Sequence, residues 1–259
     1  MIDWDRYFRH ELFHRRFAPV DFRRWKRASQ RALREMYPGE VRVLDATAGL
    51  GDHTVNLAEL GFRTEASDRS PVAREATARA VAEAKLEVPV HDAAWERLGT
   101  NLGQRFELVF NDAIHWIETE EAMLAALRGA YDALVPGGAL VFFFADGRMP
   151  EPGAGLSIKK WDEEHLAPHE LAWSHDDGDR TVTHVVSRAS YPESIDEHHL
   201  YVVRAGAETT LEAVRMRRVY RWDFHAMTAA AKQAGFREVR SDVFRNDHGS
   251  EVAINRAIR

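Results

Sequence analysis

The segment that most constrains the fold of this chain lies between residues 41 and 54 and reads VRVLDATAGLGDHT. A mostly apolar run ends at Asp45, a turn of small residues follows, and an amphipathic stretch begins at Asp52. This order is typical of a buried strand, a tight loop and the first turn of a helix. Gly49 and Gly51 allow the backbone to approach a ligand, and the helix start behind them offers unpaired N–H groups. The segment predicts the first strand–loop–helix unit of a ligand-binding α/β sheet.

Acidic residues follow the next two predicted strands as well. A strand over 62–66 leads to Asp68, and a short strand over 88–90 leads to Asp92. The carboxyl ends of parallel strands meet at one edge of a sheet, where ligands bind. Asp68 can accept both hydroxyls of a ribose, Asp92 can accept the amino group of an adenine, and Trp95 can cover the edge of the base. These positions predict a nucleoside site.

Asp45 distinguishes this loop from one that binds a pyrophosphate. The loop offers G-x-G rather than the G-x-G-x-x-G of dinucleotide sites, and a carboxylate stands before it. That charge would repel a pyrophosphate and attract a cation. S-adenosylmethionine carries a sulfonium and an ammonium group. The sequence therefore predicts a site for S-adenosylmethionine, which becomes S-adenosylhomocysteine when its methyl group is transferred.

The alternation of strands and helices continues along the chain. Further helices are predicted over 71–85, 120–134 and 223–234, and further strands over 106–110, 139–145, 237–244 and 251–257. Ser70 stands at an N-cap position before the first of these helices, and a Val-Pro-Gly-Gly turn precedes the strand at 139–145. The pattern predicts an α/β fold with a Rossmann-like, seven-stranded sheet and helices on both faces.

Two regions fall outside this alternation. Residues 3–36 have helical periodicity interrupted by Pro19, and we interpret them as a lid in which Tyr7 or Trp4 closes the site. Strand-like alternation after residue 149 predicts a small antiparallel insertion that covers the substrate side of the sheet. The predicted domains are a helical lid over 1–37, the cofactor-binding core over 38–148, the insertion over 149–220, and a C-terminal helix and strands over 221–259.

Composition excludes several classes of protein. The 259 residues include no cysteine, which excludes disulfides and thiolate metal sites. No apolar run approaches the ~18 residues of a membrane span, and the start of the chain lacks the apolar region of a signal peptide. The net charge of −6 disfavours a nucleic-acid partner. We therefore expect a cytoplasmic enzyme with a small-molecule substrate and no membrane partner, for which a homo-oligomer is one option.

A metal site is not expected either. His165 and His169 have the i, i+4 spacing of a helical pair, but Pro168 interrupts the stretch between them. His198 and His199 lie in a predicted strand, where neighbouring side chains point to opposite faces.

Four separated motifs together resemble a known family. They are VLDATAGLGDHT from residue 43, GFRTEASDRS from residue 61, DAAW from residue 92 and PGGALV from residue 136. This set is similar to class I S-adenosylmethionine-dependent methyltransferases. More narrowly it resembles the glycine N-methyltransferases, including the bacterial glycine and sarcosine methyltransferases of betaine synthesis. Thr47 replaces the first loop glycine in the same way, whereas Ala94 stands where that family has an asparagine.

The resemblance implies roles for individual residues. The residues that would contact the cofactor are Asp45, Thr47, Ala48, Gly49, Gly51, Asp68, Arg69, Asp92, Ala93, Trp95 and Asn111. Arg148, in an Asp-x-Arg sequence after the fifth strand, would hold a substrate carboxylate, for which a guanidinium is well shaped. Tyr7 and Trp116 are the other predicted substrate contacts.

An amine acceptor is mostly protonated at neutral pH, so a nearby base would have to take its proton before transfer. Two residues after the fourth strand are candidates, His115, which we favour, and Asp112. The predicted reaction is N-methylation of a small amine or amino-acid-like metabolite.

Three other interpretations remain open. A larger aromatic or natural-product acceptor could be N- or O-methylated while stacking on Trp116, Trp161, Trp173 or Trp222. A non-catalytic module could bind the cofactor without transferring its methyl group. A nucleic-acid methyltransferase is supported only by the arginine-rich N-terminal segment.

Overall fold

The computed structural model describes residues 2–18, 21–24, 26–142, 162, 166–245 and 251–259. The helices of this part are α1 (Trp4–Arg15), α2 (Arg27–Met36), α3 (Asp52–Glu59), α4 (Pro71–Glu83), α5 (Leu98–Asn101), α6 (Glu120–Ala133) and α7 (Phe224–Ala234). The strands are β1 (Arg42–Asp45), β2 (Arg63–Asp68), β3 (Val90–Asp92), β4 (Phe106–Asn111), β5 (Leu134–Phe142), β6 (His169–Asp176), β7 (Thr181–Ser190), β8 (Ser194–Ala205), β9 (Glu208–Val219), β10 (Glu238–Arg245) and β11 (Glu251–Ile258).

The chain divides into two compact units. The core unit comprises residues 21–155 and 222–259, and the inserted unit comprises residues 1–20 and 156–221. The sequence predicts one N-terminal segment over 1–37, but the structure divides that segment, because α1 belongs to the inserted unit and α2 to the core unit. The lid role of this segment remains a prediction.

The core unit contains the predicted seven-stranded sheet. Its strand order is β10-β11-β5-β4-β1-β2-β3, in which β1 to β5 are parallel and β11 is antiparallel to its two neighbours. The register aligns Asp45 with Ala66 and Phe110, and Asp68 with Asp92. The strand ends that carry the predicted site residues therefore meet at one edge of the sheet, which confirms the predicted fold class.

Buried apolar residues explain why these strands lie in the centre. Val43 and Leu44 alternate across β1, yet both are completely buried, as expected for a strand covered on both faces. Leu33 of α2 belongs to the same buried cluster as Val43, together with Leu57 and Phe110. Ser70 caps α4 by accepting a hydrogen bond from the Ala73 amide, as its position predicts.

Several predicted boundaries differ from the structure. The third strand lies at Val90–Asp92, two residues beyond the predicted one. Helix α4 ends at Glu83, and Lys85 adopts a φ of 58°, a left-handed conformation that a continuing helix cannot contain. The Pro-Gly-Gly turn lies within β5, where it forms an irregularity in the pairing with β4.

The inserted unit has a four-stranded antiparallel sheet in the order β6-β7-β8-β9, which confirms the antiparallel insertion predicted from the sequence. Strand β6 is not predicted, because its residues are mostly exposed and lack apolar alternation. Helix α1 packs on this sheet through aromatic and imidazole rings. The His10 ring stacks on Tyr201 with 3.8 Å between centroids, and the His14 ring stacks on Trp173 at 4.9 Å.

Among the helices that the structure describes, none has both the length and the apolar character needed to cross a bilayer.

His184 lies in the interior of the inserted unit. Its side chain is buried, its Nε2 lies 3.0 Å from Nδ1 of His199, and its ring stacks on Tyr201. Burial lowers the pKa of His184 to about 3, with further lowering by His199 and His10. In the folded protein this imidazole therefore stays neutral at mildly acidic pH.

We expect His184 to make the protein less stable as the pH falls from 7 to 5. The unfolded chain takes up a proton near pH 6.5 and the folded protein does not, so unfolding is favoured by about 2 kcal/mol over this interval. The pKa values of His10 and His14 are lowered as well, mainly by burial, so their effects have the same sign. Urea denaturation at both pH values should show a smaller pH dependence in His184→Gln than in the wild type. The control His225→Gln changes an exposed imidazole and should keep the wild-type dependence; equal pH dependence in His184→Gln and the wild type would contradict this account.

Candidate functional site

The loop between β1 and α3 is tied to the neighbouring strands by backbone hydrogen bonds. The Ala46 amide donates to the carbonyl of Phe110 at the end of β4 (2.8 Å), and the Ala48 amide donates to the carbonyl of Ser67 in β2 (3.2 Å). Within the loop, the Gly51 amide donates to the carbonyl of Ala48. Residues 46–51 are therefore held across the ends of three strands.

Gly51 is required by a close approach of helix α4. It has a φ of +88°, and a Cβ at this position would lie 2.9 Å from the Ala80 Cβ and 3.2 Å from the Thr77 Cα. Gly49, with a φ of +52°, is fixed by the Thr77 hydroxyl, which donates to its carbonyl. The contact with α4 is therefore a structural reason for glycine at position 51, in addition to the predicted approach of the backbone to a ligand.

Asp45 fixes the loop to the start of α3 by hydrogen bonds. It is completely buried, and its carboxylate accepts hydrogen bonds from the Thr54 hydroxyl (2.6 Å) and the Thr47 amide (3.1 Å). Burial raises the pKa of Asp45, while His53 and Thr54 act in the opposite direction. The carboxylate therefore connects Thr47 of the loop to Thr54 of α3.

Asp68 connects the loop to the end of β2. One carboxylate oxygen accepts from the Gly49 amide at 3.0 Å and the other from the Ser70 amide at 2.9 Å. Burial raises the pKa of Asp68, against the lowering effect of these two amides. Each oxygen has a second lone pair, and the side chain is only partly buried, so a pair of ribose hydroxyls could still be accepted.

Asp92 ends β3 beside Asp68, and Trp95 follows it in a short 3₁₀ helix, Trp95–Arg97. Asp92 is exposed, and a nitrogen of the Arg74 guanidinium lies 3.1 Å from its carboxylate. The Trp95 indole N–H donates to the carbonyl of Ala46 at 2.7 Å, which fixes the ring against the loop. Of the other two predicted cofactor contacts here, Ala93 is buried and Arg69 is exposed.

The residues after β4 complete this edge of the sheet. Asn111 is buried, and its Oδ1 accepts a hydrogen bond from the Ala113 amide. The amide of Asp112 donates to the Thr47 hydroxyl at 3.2 Å. Thr47 therefore contacts both Asp45 and Asp112, so the loop connects the acids at the ends of β1 and β4.

Asp112 is paired with a histidine that sequence reasoning missed. Its Oδ2 lies 2.6 Å from Nε2 of His53, and Nδ1 of that ring lies 2.7 Å from the amide nitrogen of Gln30. Burial alone would raise the pKa of Asp112, but His53, Lys26 and Thr47 lower it well below its usual range. Asp112 is therefore a carboxylate throughout the neutral range. The signal for His53 was its position directly after Gly51-Asp52, while Gln30 gave no signal because it lies in a separate helix.

The remaining predicted residues are distributed over different parts of the chain. His115 and Trp116 lie in a short 3₁₀ helix, Ile114–Trp116, with ring centroids 5.1 Å apart. Tyr7 lies in the inserted unit, where its ring meets His199 edge to face. Arg148 and Trp161 lie outside the described residues.

Two of the tryptophans considered for a stacking pocket pack within their own units. Trp222 is buried, and its indole N–H donates to the Ile117 carbonyl at 2.6 Å. Trp173 packs against His14 in the inserted unit.

The chemistry of the core-unit site fits S-adenosylmethionine. Asp68 presents acceptors for a ribose, Asp112 presents a fixed negative charge at the same edge, and Thr47 joins the loop to it. Carboxylates suit a sulfonium and an ammonium, whereas they would repel a pyrophosphate. The site residues therefore match a cationic nucleoside better than a dinucleotide.

Comparison with known proteins identifies the type of domain. Residues 43–138 match the sequence profile of a methyltransferase domain. The chain is 31% identical over 119 residues to the ribosomal RNA small subunit methyltransferase J of Laribacter hongkongensis. That match covers 46% of this chain and 34% of the relative, so the chain spans about a third of the length of the curated relative that it matches.

Solved structures match over nearly the whole chain. A sugar N-methyltransferase from a Streptoalloteichus species is 21% identical, with a TM-score of 0.66 and coverage of 96% of this chain and 92% of that one. An amino pentose methyltransferase from Micromonospora echinaspora, solved with S-adenosylmethionine bound, is 19% identical, with a TM-score of 0.60 and 96% coverage of both chains. These likenesses confirm the fold.

We expect Gly51→Ala to destabilise the protein more than Gly39→Ala. Both glycines have positive φ angles, +88° and +97°, so each substitution carries the backbone strain of about 1 to 2 kcal/mol. An added Cβ meets Ala80 and Thr77 only at Gly51, because nothing lies within 4 Å at Gly39. Urea denaturation measures the two changes in unfolding free energy, and calorimetry measures S-adenosylhomocysteine binding. Equal losses for the two variants would show that the contact with α4 does not require glycine.

Proposed function

We propose that this chain is a class I S-adenosylmethionine-dependent methyltransferase that transfers a methyl group to the nitrogen of an amine on a small metabolite, with amino sugars as the first class to test. The observation that carries the proposal is Asp112, a carboxylate held ionised at the end of β4. A fixed negative charge at the carboxyl edge of the sheet suits a cationic amine. The fold likeness to a sugar N-methyltransferase and an amino pentose methyltransferase supports the same class.

The proposed cofactor contacts follow from the geometry of the core unit. Asp68 would accept the ribose hydroxyls, Asp92 the adenine amino group, and the loop backbone from Thr47 to Gly49 would lie against the methionine part. When bound, S-adenosylmethionine supplies the activated methyl group and its own leaving group. The protein's task is to align the acceptor nitrogen and to exclude water.

Asp112 and His115 would have different roles. A carboxylate with a lowered pKa is a weak base, so Asp112 is suited to hold a positive charge in place rather than to take a proton. An imidazole is the better proton acceptor near neutral pH. We therefore assign the removal of the amine proton to His115, and we assign the positioning of the cationic amine to Asp112.

Arg148 would bind a carboxylate if the acceptor is an amino acid, as in glycine N-methyltransferases. Tyr7 and Trp116 would contact the acceptor in either case.

A second candidate substrate is RNA, because the curated relative is a ribosomal RNA methyltransferase. Binding to RNA that weakens steeply with salt would favour it.

The class of acceptor can be tested with a panel. Purified protein with S-adenosylmethionine is incubated with nucleotide-linked amino sugars, glycine, sarcosine, phenolic metabolites and ribosomal RNA fragments, and S-adenosylhomocysteine formation is measured. We expect turnover with an amine, and the amino sugars should give the highest kcat/KM. Turnover of phenols or RNA alone would contradict the proposal, while cofactor binding without any turnover would indicate a non-catalytic module.

Substitutions at the two candidate catalytic residues should have separable effects. His115→Gln should lower kcat about 10²- to 10⁴-fold and remove the acidic limb of the pH profile in the range where imidazoles titrate. Asp112→Asn should raise the KM of the cationic acceptor and leave that limb in place, because the wild-type carboxylate stays ionised at these pH values. Steady-state kinetics between pH 5.5 and 9 distinguish the two roles. Loss of the limb in Asp112→Asn instead would reverse the assignment.

A further inference from the structure

Gln30, His53 and Asp112 form a chain of hydrogen bonds that reaches from helix α2 through α3 to the end of β4. The Gln30 amide nitrogen lies 2.7 Å from Nδ1 of His53, and Nε2 of His53 lies 2.6 Å from the Asp112 carboxylate. Gln30 is completely buried and His53 nearly so, while Asp112 is partly exposed. The chain thus ends in a carboxylate at the site edge of the sheet.

The contacts of Gln30 fix which ring nitrogen carries the proton. The amide nitrogen also lies 3.5 Å from the backbone carbonyl of His53, and a donor belongs next to that oxygen. The same NH₂ group then donates its other hydrogen to Nδ1, which must present its lone pair. The ring proton therefore lies on Nε2, from which it is donated to Asp112. The Gln30 Oε1 is buried with no hydrogen-bond partner among the described residues, so His53 is the group that holds this amide.

This tautomer makes His53 an Nε2–H donor to Asp112. A short hydrogen bond from Nε2–H stabilises the ionised carboxylate and fixes its orientation. The other contacts of the Asp112 carboxylate act in the same direction, because the nearby Lys26 ammonium and a hydrogen bond with the Thr47 side chain both lower its pKa. Without His53, the rise in the pKa of Asp112 that burial causes would be opposed by fewer groups.

We propose that Gln30 and His53 are positioning residues of the methyl-transfer site, which hold Asp112 ionised and in one orientation by fixing the Nε2–H tautomer of His53. This inference rests on the proposed function of Asp112. Neither residue needs to touch the cofactor or the acceptor, and both act through Asp112.

The tautomer can be measured without cofactor or substrate. In long-range ¹H–¹⁵N spectra of protein with labelled histidine, His53 should show a protonated Nε2 and an unprotonated Nδ1. In Gln30→Leu, which has a similar volume and no amide, these signals should shift toward a mixture of tautomers. An unchanged Nε2–H pattern in Gln30→Leu would overturn the role of Gln30, and an Nδ1–H pattern in the wild type would overturn the whole chain.

Kinetics test whether the chain matters for transfer. His53→Phe keeps a ring but no donor, and it should lower kcat/KM about 10- to 100-fold, mainly through the KM of the cationic acceptor. The activity of this variant should also fall more steeply toward acidic pH, because the pKa of Asp112 rises. His53→Gln retains an N–H donor and should recover part of the loss.

A second histidine–carboxylate pair provides the matched control. Nε2 of His91 lies 2.7 Å from the carboxylate of Glu65, which also accepts a hydrogen bond from Gln104. His91→Phe removes the same kind of contact between β2 and β3 and should keep kcat/KM within about twofold of the wild type. Equal kinetic losses in His53→Phe and His91→Phe would reduce His53 to a structural role. If no acceptor is turned over, the proposed function fails, whereas the tautomer signals still decide whether Gln30 and His53 fix Asp112.

Discussion

The buried carboxylate of Asp45 is the contact on which the candidate site depends. It accepts hydrogen bonds from Thr54 in α3 and from Thr47 in the loop, so it fixes the helix and the turn to the end of the same strand. Thr47 in turn accepts the amide of Asp112. Burying a charged group away from water costs free energy, and these hydrogen bonds offset that cost. The loop therefore has a defined shape before any ligand binds, which is the condition for positioning a reactive methyl group.

The sequence predicts the parts of this site that depend on local pattern. The strand–loop–helix unit around Gly49 and the acids at three strand ends can be predicted because a parallel sheet brings successive strand ends together. The register of Asp68 with Asp92, and of Asp45 with Phe110, confirms this reasoning. The seven-stranded fold follows from the same alternation.

Contacts between distant side chains could not be predicted. Gln30 and Asp112 lie 23 and 59 residues from His53 in sequence, and neither separation leaves a periodic signal. The division of residues 1–37 between two units could not be predicted for a similar reason. Both α1 and α2 carry apolar residues at helical spacing, and tertiary packing decides which unit each helix contacts. Strand β6 was missed because an exposed edge strand needs little apolar alternation.

The inserted unit shows that an interior can be assembled from rings that carry polar atoms. The rings of His10 and His184 both stack on Tyr201, and burial raises the pKa of the tyrosine while it lowers those of the two histidines. All three shifts favour the neutral form. The stacked rings can therefore pack as apolar surfaces, and the unit's stability depends on keeping protons off its imidazoles.

The environments of His184 and His53 illustrate how burial and neighbouring groups determine the role of an imidazole. His184 faces another histidine, so a proton on either ring would repel a proton on the other. His53 faces a carboxylate and is held from behind by an amide donor, so its single ring proton is directed toward Asp112. A carboxylate supported in this way keeps its charge without competing for the acceptor's proton. In the proposed reaction, proton removal is then left to a separate group after β4, because one residue cannot be both a stably ionised carboxylate and an effective base at the same pH.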